Sequence, residues 1–230
     1  MDRTVPAGAA LLLDFIGQTE APLGYGTVYA NKQDKLPKPL TSMTVGEVLA
    51  AQPGWTKAFG SSAAGRYQIM KATLESLLDD SKLGLTRSML FDANLQDRLG
   101  YHLLKRRGYA EFMAGQIGLT AFGKSLAQEW ASFPVLSATQ GQKRKVERGQ
   151  SYYAGDGLNK ALVKPEAVEA VLFKARAAAG AAPPPDIQLP REPIAWNDAT
   201  SIRNGGITIV KPANDPKPRG FLAWLKSLFA

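Results

Sequence analysis

Between Ile69 and Ala179 apolar residues return every three or four positions, and this is the strongest constraint on what the chain can become. The runs Thr73–Leu78, Asp92–Arg107, Thr120–Phe133 and Pro165–Ala179 each predict a helix with one apolar face. Pro165 suits the first turn of the last run, where its missing N–H leaves no bond unmade, and Gly180 ends it. A further helix is expected over residues 8–19, with Leu11, Leu12, Phe15 and Ile16 on one side. From Gly24 to Gly60 the chain is rich in Gly, Pro, Tyr and Thr, so loops and a small irregular sheet are expected there. They are interrupted by a short helix near Val45–Ala51, capped by Thr44 with Glu47 as its capping-box partner. The expected fold class is α+β, mostly helical, with a small β region.

Composition narrows the chemistry. The chain has 230 residues, 45% of them hydrophobic and 21% charged, which is enough for an ample core. It has no cysteine, which excludes a disulfide framework and the usual zinc and iron–sulfur sites. The single histidine, His102, leaves one candidate imidazole base and lies inside an apolar-periodic helix, where a structural role is the simpler reading. Carboxylate chemistry is the better default, and no metal or organic cofactor is expected. The net charge of +8 points to anionic partners: nucleic acid, lipid phosphates or an acidic polymer such as a bacterial cell wall. No nucleic-acid module is recognisable, so nucleic acid is not expected as a partner.

The apolar run Ala7–Leu13 is interrupted by Asp14, has a poor basic region before it, and is followed by no small-residue cleavage site. No stretch reaches the ~20 apolar residues of a spanning helix. Neither a signal peptide nor a membrane span is expected. After Gly180 the composition shifts to "AAPPPDIQLPREP", a proline-rich, semi-rigid linker. The expected organisation is a domain over 1–180, a linker with at most one short strand over 181–216, and an amphipathic helix over 217–230. In that helix Phe221, Leu222, Trp224, Leu225, Leu228 and Phe229 form an apolar stripe, with Lys226 off it and Lys217 and Arg219 before it. The pattern suits an interfacial helix on anionic lipid or lipopolysaccharide, with Phe221, Trp224, Leu225, Lys226 and Leu228 as the contacting residues. Docking onto the domain itself or onto a second copy is the alternative.

Glu20 is a candidate by position, although a glutamate at a helix end more commonly reads as a solvated terminus. Glu20 ends a hydrophobic helix among Ile16, Ala21 and Pro22, and opens into a Gly/Tyr-rich loop. An apolar setting and the negative end of a helix both favour the protonated acid, which is what cleavage of a glycosidic bond requires of a proton donor. Downstream, "SSAAGRYQIM" tapers to small residues and then presents Arg66, Tyr67 and Gln68 together.

Together, "IGQTEAP" and "SSAAGRYQIMKATL" resemble the helix-ending Glu and the later Gly-x-x-Gln element of phage endolysins of the lambda type and of soluble lytic transglycosylases. "LFDANLQDRLGYHLLKRRGY", "LAQEWASFP" and "GQSYYAG" resemble successive later segments of the same endolysin domains, so that the likeness covers roughly residues 8–178. The resemblance implies a lysozyme-like fold, a peptidoglycan substrate, Glu20 as catalytic acid, a tight turn beside it, and Tyr67 and Gln68 facing the sugar. Tyr25 and Tyr29, in the loop after Glu20, and the aromatics Trp130, Tyr152 and Tyr153 are candidates for stacking on sugar faces. Trp130 equally suits the core, since Leu126, Ala127 and Phe133 share its face.

One position departs from a related pattern. The residue nine after Glu20 is Tyr29, where another class of phage lysozymes carries Asp, and the next acid, Asp34, reads as a turn residue among lysines and prolines. A lone acid favours the lytic transglycosylase route to a 1,6-anhydro product, with hydrolysis through a positioned water left open. Such a protein is expected to be a monomer that waits in the host bacterial cytoplasm until released to the wall. A catalytically silent wall-binding module of a phage or secretion apparatus, and a chiefly membrane-active protein, are the rival classes. Arg66 reads as a salt-bridged surface arginine or a ligand for a carboxylate. Gln96 and Asp97 read as helix-surface or helix-packing residues, and "GQKRKVERGQ" as a solvated face.

Overall fold

A computed structural model of the protein describes residues 1–180, so the linker, the short strand and the amphipathic tail expected beyond them lie outside the described residues. The described chain is mostly helical with a small two-stranded antiparallel sheet, an α+β fold. The helices are α1 (Ala7–Glu20), α2 (Val45–Phe59), α3 (Lys71–Leu78), α4 (Ala93–Arg106), α5 (Tyr109–Met113), α6 (Leu119–Glu129) and α7 (Pro165–Gly180).

α1 packs chiefly on α7 and then on α4, burying Leu12, Leu13 and Ile16, while Leu11 turns outward. Gly8 allows the closest approach: a Cβ there would stand 2.5 Å from the carbonyl oxygen of Ala175 on α7. α4 is the most amphipathic of these elements in sequence and runs through the core, burying Leu95, Leu99, Leu103 and Leu104. The Asp92 side chain caps it by accepting from the Leu95 amide at 2.8 Å. Stacking of Phe112 on Phe122, with ring centroids 4.6 Å apart, joins α5 to α6.

Two elements differ from expectation. The helix expected to stop near Ala51 continues to Phe59 through Pro53, which lies on its exposed side. Interior proline ordinarily breaks a helix. Here buried Trp55 and the fully buried Gln52 hold the second half in place, and Gly60, at φ 90°, closes it. The first half starts as expected: Thr44 and Glu47 form the capping box. The regular sheet expected within 24–60 does not form there. The two strands are β1 (Thr139–Gln140) and β2 (Lys145–Val146), with Thr139 opposite Val146. Residues 24–69 take part only in isolated bridges, Val28 with Ala64, Ala64 with Ile69 and Thr44 with Leu90, and left-handed Ala30 and Asn31 break the extended run after Val28. The helix expected to reach Phe133 ends at Glu129, and Trp130 is already extended.

Candidate active site

The turn carrying the Tyr–Gln pair is built by its glycine. Gly65 has φ 76°, and a Cβ on it would lie 2.3 Å from Oε1 of Gln96, so only glycine fits. That closeness has a purpose: Gln96 Oε1 accepts from the Arg66 amide at 2.8 Å. Its Nε2 donates to the carbonyls of Phe91 (2.9 Å) and Tyr25 (3.1 Å). One fully buried amide side chain thus ties the 61–69 turn, the loop after Glu20 and the start of α4 together. On the other leg Gln52 donates to the carbonyls of Ser62 and Ile69. Gln68 closes the turn at φ 48°, its amide donating to the Gly65 carbonyl at 2.8 Å. A non-glycine residue held left-handed stores strain that the surroundings must enforce.

Tyr67 does not face a sugar. Its ring is 1% exposed and packs against Gly100 of α4, and its hydroxyl donates to Asp97 Oδ1 at 2.6 Å. Trp130 likewise lies in the core, 4% exposed, and its indole N–H donates to the Tyr67 carbonyl at 3.2 Å. Burial of the Tyr67 ring corrects the sugar-facing role implied for it, and Trp130 takes the core alternative left open for it. The physical reason is shared: each large ring fills core volume while its one polar atom finds a buried partner. Asp97 is the hub the sequence did not reveal. Fully buried, it accepts from the hydroxyls of Tyr67 and Tyr25 (2.9 Å) on Oδ1 and from the Asp2 amide (2.7 Å) on Oδ2. Desolvation and the adjacent carboxylate push the Tyr25 phenol up to about 12 and that of Tyr67 higher still, so both remain donors.

The other site candidates are placed as follows. Tyr25 is half-buried, with its hydroxyl committed to Asp97 and the Arg66 guanidinium 5.0 Å above its ring. Arg66 is salt-bridged to Asp14 at 3.0 Å and packs over Gly17. Tyr29 is the open aromatic of the loop, 44% exposed. Tyr152 is half-buried beside Tyr153, whose hydroxyl donates to the Gln128 carbonyl. His102 faces Asp80 at 3.1 Å, and burial lowers its pKa. Asp34 is an exposed neighbour of Lys35.

Glu20 ends α1, and its partner comes from far along the chain: the hydroxyl of Ser132, itself 8% exposed, donates to Glu20 Oε1. Oε2 makes no hydrogen bond to any described residue. Desolvation raises the Glu20 pKa above the ordinary 4.5 of a glutamate, and the Ser132 hydrogen bond pulls it part of the way back. No neighbouring charge contributes to that shift. Ser132 reaches Glu20 because Trp130 leaves the helix and bonds to Tyr67, which docks the 130–133 segment onto the Gly65–Gln68 turn. In sequence Ser132 is an unremarked small residue between Trp130 and Phe133. Its only signal is its place in the segment "EWASFP".

What emerges is a desolvated acid with one oxygen held by a serine hydroxyl brought from far along the chain. Such a group, more readily protonated than an ordinary glutamate, can hand a proton to an oxygen leaving group and take one back. No curated protein and no solved structure matches the chain. A family model described as Endolysin does match residues 49–158, a segment that takes in the 61–69 turn, α4, α6 and Ser132 and starts beyond α1 and Glu20. Over that segment, just under half of its length, the chain is similar to endolysins, and the match supports a phage endolysin.

Proposed function

We propose that the protein cleaves the β-1,4 bond between N-acetylmuramic acid and N-acetylglucosamine in peptidoglycan, as a lytic transglycosylase of lysozyme-like architecture, with Glu20 as its acid and base. The observation that carries this reading is the state of Glu20: desolvated, raised in pKa, steadied by Ser132 on Oε1, and without a hydrogen bond from any described residue on Oε2. Protonated Glu20 gives its proton to the glycosidic oxygen as the C1–O bond breaks. The carboxylate so formed then takes the proton of the C6 hydroxyl on the same muramic residue, whose oxygen bonds to C1. The ring closes to the 1,6-anhydro sugar, no water is consumed, and Glu20 is again protonated.

Two features favour ring closure over hydrolysis. An inverting hydrolase needs a second carboxylate across the bond to activate water, and a retaining one needs a second carboxylate as nucleophile. Tyr29 occupies the position where a second acid is sought, and no other carboxylate contributes to the Glu20 shift. Gln68 on the strained turn and exposed Tyr29 supply an amide and an aromatic face for the sugar. Mass spectrometry of digested sacculi tests the route, since anhydro products are one water lighter than reducing ends. Reducing ends in the products would replace transglycosylation by hydrolysis. Binding of sacculi with no release at all would make the domain a wall-binding module.

A further inference from the structure

Between the start of α6 and the segment leading to β1 lies a cavity of about 260 Å³. Its floor is Val135 and Leu136, both buried, and its polar lining is Lys124 with the hydroxyl residues Thr120, Ser137 and Thr139. The cavity is shaped by a glycine. A Cβ on Gly123 would stand 2.4 Å from Cδ1 of Leu136, so its absence lets Leu136 seat against α6 and bring Ser137–Thr139 over Lys124. Lys124 Nζ donates to Thr139 Oγ1 at 2.9 Å and lies 6.0 Å from the centre of the Tyr152 ring. Among the described residues no carboxylate comes within 4.0 Å of it. In another cavity, about 300 Å³ beside α4, Arg98 lies 3.8 Å from Asp2, His102 faces Asp80, and Lys105 sits 4.9 Å from the centre of the Tyr101 ring.

A half-buried ammonium with unused N–H donors, rimmed by hydroxyls over a small apolar floor, is complementary to a carboxylate carried on a short aliphatic stem. The position fits the same substrate. Val135 follows Ser132 by three residues, so their Cα atoms are at most ~11 Å apart. Ser151, the neighbour of Tyr152, donates to the Ala131 carbonyl at 2.8 Å and ties the two walls together. We propose that this cavity is a subsite for a carboxylate of the peptide stem of peptidoglycan, with Lys124 as the residue that reads it. The inference rests on the reading of Glu20 as a wall-cleaving acid, and its test separates the two.

The full chain and its Lys124→Met variant are compared on sacculi and on the same glycan stripped of peptides by an amidase. Loss of about tenfold in kcat/KM on sacculi, with equal rates on stripped glycan, is the expected result. Equal rates on both substrates, or equal losses on both, overturn the subsite. The free tetrapeptide L-alanyl-γ-D-glutamyl-meso-diaminopimelyl-D-alanine is also titrated into Glu20→Gln and into Glu20→Gln/Lys124→Met, followed by NMR. Saturable shifts at residues 120–139 that the second change abolishes support the site even if the wild-type chain cleaves nothing, in which case only the catalytic reading fails. Absence of shifts in Glu20→Gln up to millimolar peptide counts against the site, whatever the chain cleaves.

Discussion

Asp97 and Glu20 are both carboxylates taken out of water, and their surroundings give them opposite work. Asp97 is saturated: two phenols share one oxygen and a backbone amide takes the other. Its donors lie on the first residues of the chain, the loop after Glu20 and the Gly65–Gln68 turn, so it acts as a joint among three segments. Glu20 has a single donor, Ser132, on one oxygen, and the other accepts no hydrogen bond from any described residue. A buried carboxylate surrounded by donors is stabilising structure, whereas one left short of donors is raised in pKa and available for proton transfer. Burial alone would not separate the two. The count of donors does.

Exchanging each group for a neutral one puts this contrast under the greatest load. Glu20→Gln is expected to lower release of soluble fragments from sacculi by about 10²–10⁴-fold, the range a positioned acid supplies. Its melting temperature should not fall, because the amide carries no charge to desolvate. Asp97→Ala should do the reverse. It strands two buried phenols and an amide, at a cost of about 3–5 kcal/mol in denaturant unfolding, while the fraction still folded keeps cleaving. Wild-type stability in Asp97→Ala, or wild-type cleavage by Glu20→Gln, would break the comparison.

Gly65→Ala tests the turn that both carboxylates depend on. A Cβ at φ 76° meets Gln96 Oε1, and a loss of about 2–3 kcal/mol is expected from strain and from displacing that amide. Thermal unfolding of Gly65→Ala beside an exposed control such as Gly115→Ala, which shares the left-handed φ but meets no neighbour, isolates the contact.

The smallest effect is the most specific. As Glu20 is raised in the folded state, it adds stability that is fully present below the ordinary 4.5 and is lost as pH rises through its folded value. The rate should fall over the same upper range, since the acid must start protonated. Ser132→Ala removes the hydrogen bond that lowers this pKa, so the alkaline limb of the pH–rate profile should move upward. A limb that stays in place, or moves down, would mean that Ser132 does not hold the Glu20 carboxylate.

The parts of the molecule legible in the sequence are those governed by neighbours three and four residues away. α3, α4 and α7 lie close to where their apolar spacing puts them, and the Thr44–Glu47 box starts α2 as its residues require. α2 runs on past Ala51 and through Pro53 because a proline's penalty is local while the anchors that override it, Trp55 and Gln52, act through the core. The β region was misplaced because extended pairing depends on partners that spacing does not disclose. The burial of Tyr67 is not legible in the sequence for a related reason. An aromatic ring in a motif looks the same whether its hydroxyl or indole N–H meets a sugar or a buried partner.

The sequence by itself determined the helical scaffold, the basic character, the absence of thiol chemistry and the singling out of Glu20 at the end of α1. Those follow from composition and from short-range periodicity. Only the tertiary structure decided which groups touch. It set Ser132 against Glu20 across 112 residues and brought Tyr25 to Asp97 across 72. It also left Lys124 without a carboxylate among the described residues. The physical reason is that proton affinity, burial and charge balance are set by whatever surrounds an atom within a few ångströms, and in a folded chain those surroundings come from segments far apart in sequence.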